Sequence, residues 1–188
     1  MARPKFGIPH SSGEVSRHDY GNLYFHEPSG DSGRLVIGPT GNQVQLLESL
    51  AETFQPQEYF VLYILLVSHS GNNLGRYQLP LIHNFYALKK FTSTFRLFFE
   101  NDGRHHIWIA SPISPQTLVY DQHDVIFAYG DLEAYEDVLK KNDYSCKDFW
   151  FPSPHAHGYD PANGDTEDVL LEFFDWQHFD LQPGDEWD

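Results

Sequence analysis

Two periods of hydrophobic and polar residues run through this chain and divide it into strands and helices. Asn22 to His26 and Arg34 to Ile37 are short apolar runs separated by Pro28-Ser-Gly-Asp-Ser-Gly33. Two such runs around a cluster of turn formers predict a β-hairpin. Val44, Leu47, Ala51 and Phe54 follow at helical spacing, with Asn42 placed to cap the helix and Pro56 to stop it. Tyr59 to Val67 is apolar at both parities, the pattern of a strand covered on both faces at the centre of a sheet. Arg76 to Leu79 predicts a short strand ended by Pro80.

Phe85, Leu88, Phe91, Phe95 and Phe98 recur every three or four residues and predict one long helix over Asn84–Glu100, stopped near Gly103. His105 to Ser111 alternates as a strand. Thr117–Tyr120 and Val125–Tyr129, joined by Asp121-Gln-His-Asp124, predict a second hairpin. Asp131 caps a helix lined by Leu132, Tyr135, Val138 and Leu139, whose last turn carries Lys140 and Lys141. Lys147–Phe151 predicts a last strand. A final helix, capped by Asp165 or Thr166, pairs Val169 with Phe173 and Leu170 with Phe174. Hairpins interrupted by helices predict an α+β fold, not a doubly wound one. The expected architecture is a single domain over 1–188, with a mainly antiparallel sheet of about 5–7 strands and about 3–4 helices packed on it. Residues 1–20 are expected as an irregular arm, and 152–188 as an acidic segment packed on the domain.

Composition then narrows the class. With 188 residues, 40% hydrophobic and 16% aromatic, the chain is too apolar to be disordered. A net charge of −15 argues against nucleic acid and anionic membranes as partners, because both require a basic face. Cys146 alone permits no internal disulfide and no four-cysteine zinc site. The first 20 residues lack the apolar run of a secretory signal, and the longest apolar stretch falls short of the roughly 20 residues of a membrane helix. The expected location is the cytoplasm.

The charge is concentrated at one end. Asp148–Asp188 holds 11 acidic residues and no Lys or Arg, so most of the excess lies in the last 41 positions. There Val169 to Leu181 interleaves carboxylates with large apolar groups, unlike a solvating tail. In one reading the apolar groups pack inward and the acids are a wet face. In the other, Asp165, Glu167, Asp168, Glu172, Asp175 and Asp180 form a patch for a basic protein, with Trp176, Phe179 and Trp187 as aromatic anchors.

His155-Ala-His157 sends two imidazoles to one side of an extended segment, with Pro152, Pro154 and Pro161 around it. Asp160 and His178 are further donors, and two His with a carboxylate suit Zn or Fe(II). The segment lacks the H-E-x-x-H signature and the further Glu and His of the cupin pattern. His123, between Asp121 and Asp124, has the surroundings of a proton carrier or of an ordinary capped turn. Ser68 to Asn73 ends a buried strand, and Gly38-Pro-Thr-Gly41 precedes a helix without the P-loop pattern. No G-x-S-x-G elbow is present, and Cys146 has no local His.

In size, acidity and single cysteine the chain is similar in class to bacterial toxin-neutralising immunity proteins, a likeness of composition and not of aligned residues. It implies a non-catalytic, cofactor-free inhibitor that binds a basic protein partner through its acidic C-terminal face. The alternative expectation is a metal-dependent enzyme or metal-binding protein using His155 and His157.

Overall fold

The structure is a computed structural model that describes residues 4–30, 33–68, 70–160 and 163–185. In chain order the elements are β1 Phe6–Pro9, β2 Val15–Arg17, β3 Leu23–Glu27, β4 Arg34–Gly38, α1 Gln43–Ala51, β5 Phe60–Leu65 and β6 Gly75–Gln78. Then come α2 Phe85–Thr94, α3 Arg96–Asn101, β7 His105–Ala110, β8 Thr117–Tyr120, β9 Ile126–Tyr129 and α4 Leu132–Lys141. The last are β10 Ser145–Cys146, β11 Ala156–His157, α5 Gly164–Glu172 and β12 Gln177–Phe179. The class is α+β, as the alternation of hairpins and helices predicts.

The main sheet is larger than expected. Its nine strands run β10-β3-β4-β9-β8-β7-β5-β6-β12, and a separate three-stranded sheet runs β11-β1-β2. It is also mixed, because β10 pairs with β3 in parallel. Both predicted hairpins form, β3–β4 and β8–β9. The both-parity apolar run becomes β5, hydrogen-bonded to β6 on one side and β7 on the other.

Strand alternation assigns the two faces of the sheet. Leu35, Ile37, Val61, Tyr63, Ile107, Ile109, Leu118 and Tyr120 point to a core shared with helices α1 to α5. Val36, Val119 and Phe127, their neighbours in sequence, point the other way and pack with Phe6, Tyr20, Val125 and Phe149. The helices therefore cover one face, while the N-terminal strands and residues near 149 cover part of the other. Within residues 4–20 of the expected irregular arm two strands form: Phe6 is fully buried, and β1 pairs with β2 and β11.

Four local expectations are corrected. The expected strand over Lys147–Phe151 is absent, and the chain pairs instead at β10, Ser145–Cys146. The long helix is divided at Phe95, which ends α2 and begins α3. Thr92 and Thr94 turn their hydroxyls back onto the carbonyls of Leu88 and Lys90, competition that bends a helix. Asn42 is left-handed, with φ 56, and its side chain does not cap α1. Glu100 Oε1 reaches across from α3 and accepts from Val44 N at 3.0 Å instead. The final helix is capped at Asn163, two or three residues before the expected Asp165 or Thr166. Beyond α5, Phe91 of α2 packs against Phe173, Phe174 and Trp176, which fastens the acidic segment to the core. Among the described residues no helix is long and apolar enough to cross a membrane.

Candidate metal centre

The β8–β9 turn is held from several directions. Asp121 Oδ1 accepts from the backbone N–H of His123 at 2.9 Å. Asp124 stands at φ 66, a conformation asparagine and aspartate tolerate better than most residues. Its carboxylate accepts from Arg17 of β2 at 2.7 Å, Gln43 of α1 at 3.0 Å and the Tyr120 hydroxyl at 2.6 Å. The Tyr20 hydroxyl donates to the His123 carbonyl at 3.0 Å. His123 is thus presented by a turn with little freedom.

The second half of the site arrives with β11. Phe6 pairs with His157 in the small sheet, and Gly158 N donates to Lys5 O at 3.0 Å. Gly103, between α3 and β7, donates to Gly158 O at 2.9 Å. A Cβ on Gly103 would stand 2.5 Å from Lys5 O and 3.1 Å from the His157 Cβ, so the close approach requires glycine.

These two segments bring His123, His155 and His157 together. One ring nitrogen of each lies within 4.8 Å of the other two. Ring centroids are 5.3 Å apart for His123–His155, 5.0 Å for His123–His157 and 5.2 Å for His155–His157. Rings so spaced have a common centre about 3 Å from each centroid, an arrangement in which one cation can be shared by a nitrogen of each ring. The fully buried Phe6 lies beneath all three, at 5.3, 5.2 and 5.4 Å.

Each ring is oriented through Nδ1. His155 Nδ1 faces the Pro152 carbonyl at 3.0 Å, and His157 Nδ1 faces the Gln122 carbonyl at 3.1 Å. A carbonyl oxygen only accepts, so both Nδ1 atoms carry the proton and donate. His123 Nδ1 faces Asp121 Oδ2 at 2.7 Å. Burial opposes ionisation of Asp121, but the hydrogen bond from His123 and the nearby positive groups outweigh it and hold its pKa below the ordinary value. Asp121 is therefore a carboxylate that accepts, and with Nδ1 so engaged the Nε2 atom of each ring is the one left for a metal. Burial, reinforced by His123, pushes His157 down to about 4, so this ring is neutral near pH 7, the form that ligates. Orientation of ligand imidazoles by carboxylates and carbonyls is how metal-binding histidines are ordinarily fixed.

The sequence-predicted residues divide as follows. His155 and His157 stand in the cluster. Asp160 stands outside it, and its carbonyl accepts from Asn163 N at 2.8 Å. His178 lies on the edge strand β12, its ring tilted against Tyr77 at 4.8 Å, with Nε2 3.2 Å from the Leu74 carbonyl. His123 joins instead. The sequence signal for it was the Asp121-Gln-His-Asp124 turn, which carried no link to residues over 30 positions away.

Of the predicted acidic face, Asp165, Asp168, Glu172, Asp175 and Asp180 are exposed, as is Phe179. Glu167 is not part of that face. It is fully buried, accepts from Arg104 at 3.0 Å and is hydrogen-bonded to Ser68 and Asn72. Arg104 is held in turn by Asp102, so charge at position 167 serves the interior. Trp176 packs on the core and donates its indole N–H to Leu170 O at 3.0 Å. Trp187, His69 and Pro161 lie outside the described residues.

No protein family, no curated protein and no solved structure matches this chain. The reading of the site therefore rests on its own geometry.

Proposed function

We propose that this protein binds one divalent first-row metal ion, zinc or iron, on His123, His155 and His157, and that the centre is of the catalytic type. The observation that supports this reading is the convergence of three imidazoles, each oriented through Nδ1 by an oxygen acceptor. Three protein ligands leave one or more positions for water or substrate, whereas structural zinc sites are closed by four. A metal so held acts as a Lewis acid and lowers the pKa of bound water.

Elemental analysis of the purified protein, before and after incubation with Zn²⁺ or Fe²⁺, tests this. One equivalent is expected. Less than about a tenth of an equivalent after incubation overturns the reading, because a site with three oriented donors must load.

A second reading concerns the α5–β12 face and is favoured by a separate observation. Val169 and Phe179 are 53% and 48% exposed among the carboxylates. Apolar groups within a charged rim suit docking of a basic protein. Charge reversal at Glu172 and Asp175 is expected to slow association with such a partner, most at low salt. An unchanged on-rate counts against it.

A further inference from the structure

The metal reading leaves open what occupies the remaining coordination position, and the surroundings of the three rings constrain it. Phe6 closes the inner side, so ligand approaches from the opposite, solvent-facing side. The Phe151 ring stands edge-on to His123 at 5.4 Å and is 40% exposed. Trp150 beside it is 81% exposed, a large apolar surface left to water one residue from the site wall. Tyr20 and Phe149 support Phe151 from behind, at 6.1 and 6.3 Å.

Among the described residues no Arg or Lys side chain contacts the three rings. Asp148 to Asp185 contains no Lys or Arg. Three cations on neighbouring elements are engaged: Arg17 with Asp124, Lys5 with the Phe99 carbonyl, and Arg104 with Asp102 and Glu167. Sites that take phosphate or carboxylate groups supply Arg or Lys to hold the oxygens. Asp121 beside His123 adds negative charge instead.

We propose that the open position of the His123–His155–His157 centre takes an uncharged molecule that carries a flat aromatic ring and a lone-pair nitrogen or oxygen. The lone pair goes to the metal, and the ring lies against Phe151 and Trp150. This rests on the metal reading above. Aromatic contacts of this kind carry about 0.5–1.5 kcal/mol beyond their buried area.

The test uses the Co²⁺-loaded protein, whose visible absorption reports ligands entering the metal's coordination shell. Three probes are titrated at pH 7.5: 4-phenylimidazole, imidazole and inorganic phosphate. The phenyl-bearing probe is expected to bind roughly tenfold tighter than imidazole, and phosphate weakest. Trp150→Ala and Phe151→Ala are expected to bring the two imidazoles to within about threefold of each other while Co²⁺ still binds with one equivalent. Trp150 is on the surface, so its variant keeps the test valid if Phe151→Ala fails to fold. Equal binding of the two imidazoles to the Co²⁺-loaded wild-type protein, or tighter binding of phosphate, overturns this proposal and leaves the metal reading standing. Absence of any Co²⁺ spectrum overturns both.

Discussion

Asp121 Oδ2 accepts the Nδ1 proton of His123 at 2.7 Å, while Oδ1 of the same carboxylate accepts from the His123 backbone N–H at 2.9 Å. One carboxylate thus sets both the backbone of the turn and the tautomer of the ring. Asp121→Asn is expected to keep the fold and to lower metal affinity about 10–100-fold, the usual effect of removing such an orienting partner. Competition of the loaded protein against a chelator measures it. An affinity equal to wild type counts against Asp121 as an orienting group.

The ligand set separates two histidines that the sequence does not rank. His123→Ala is expected to lose metal stoichiometry, because it removes one of three donors. His178→Ala is expected to keep one equivalent, since His178 stands on β12 against Tyr77 and the Leu74 carbonyl. Elemental analysis of the two variants decides, and loss of metal only in the His178 variant reverses the assignment.

Gly103 links the site to folding. With the Lys5 carbonyl and His157 Cβ so close, Gly103→Ala forces the Lys5 and His157 segments away from the junction of α3 and β7. The expected cost is about 1–3 kcal/mol in a denaturant melt, the range for overpacking. A weaker Co²⁺ affinity should accompany it, because His157 moves with β11. Full stability together with full affinity would show that the contact has room to relax.

Glu167 and Glu172 lie on one helix and should differ sharply. Glu167→Ala leaves the buried Arg104 with one carboxylate fewer, and breaking a buried pair costs about 3–5 kcal/mol. Glu172→Ala, on the exposed side, is expected to change stability by less than about 0.5 kcal/mol. Urea midpoints of the two variants check this, and equal midpoints reject the interior role of Glu167.

Lys5 predicts an unusual pH dependence. Its ammonium is fully buried, near the Phe99 carbonyl at 3.0 Å and 3.6 Å from the centre of the Tyr120 ring. Burial, only partly opposed by Asp124, Asp121 and Asp102, lowers its pKa from 10.5 to about 8. Below pH 8 both states are protonated and the folded state bears the full cost of the buried charge. From pH 8 to 10.5 the unfolded chain binds more protons than the folded one, so stability rises with pH. The slope is up to about 1.4 kcal/mol per pH unit. Tyr20, Tyr63, Tyr120 and Tyr135, all raised mainly by burial, act in the opposite sense once tyrosines of the unfolded chain ionise, which is above pH 10. Denaturant midpoints should therefore rise between pH 8 and about 10 in wild type. No such rise is expected in Lys5→Met.

Local pattern and tertiary assembly contributed differently to what is now known of this protein. Both hairpins, the central strand and the helix capped by Asp131 were legible in the sequence, because each depends on residues within one or two turns or a single strand pair. The Asp131 cap, with its carboxylate accepting from Ala134 N at 3.1 Å, is a bond three residues long. The strands β1, β2 and β12 were not legible. They are short, and two are defined by a distant partner, β1 by β11 and β12 by β6, while β2 pairs only with β1.

The same division runs through the site. The sequence by itself determined that His155 and His157 share one side of an extended segment, since that follows from a period of two. It also determined that Asp121 and Asp124 flank His123 in a turn. Only the tertiary structure decided that these two features meet, that Asp160 and His178 stand elsewhere, and that Glu167 turns inward while its acidic neighbours face water. The physical reason is that a three-donor cluster depends on packing between separate elements, here the Phe6–His157 register and the approach at Gly103, and no local spacing encodes that contact.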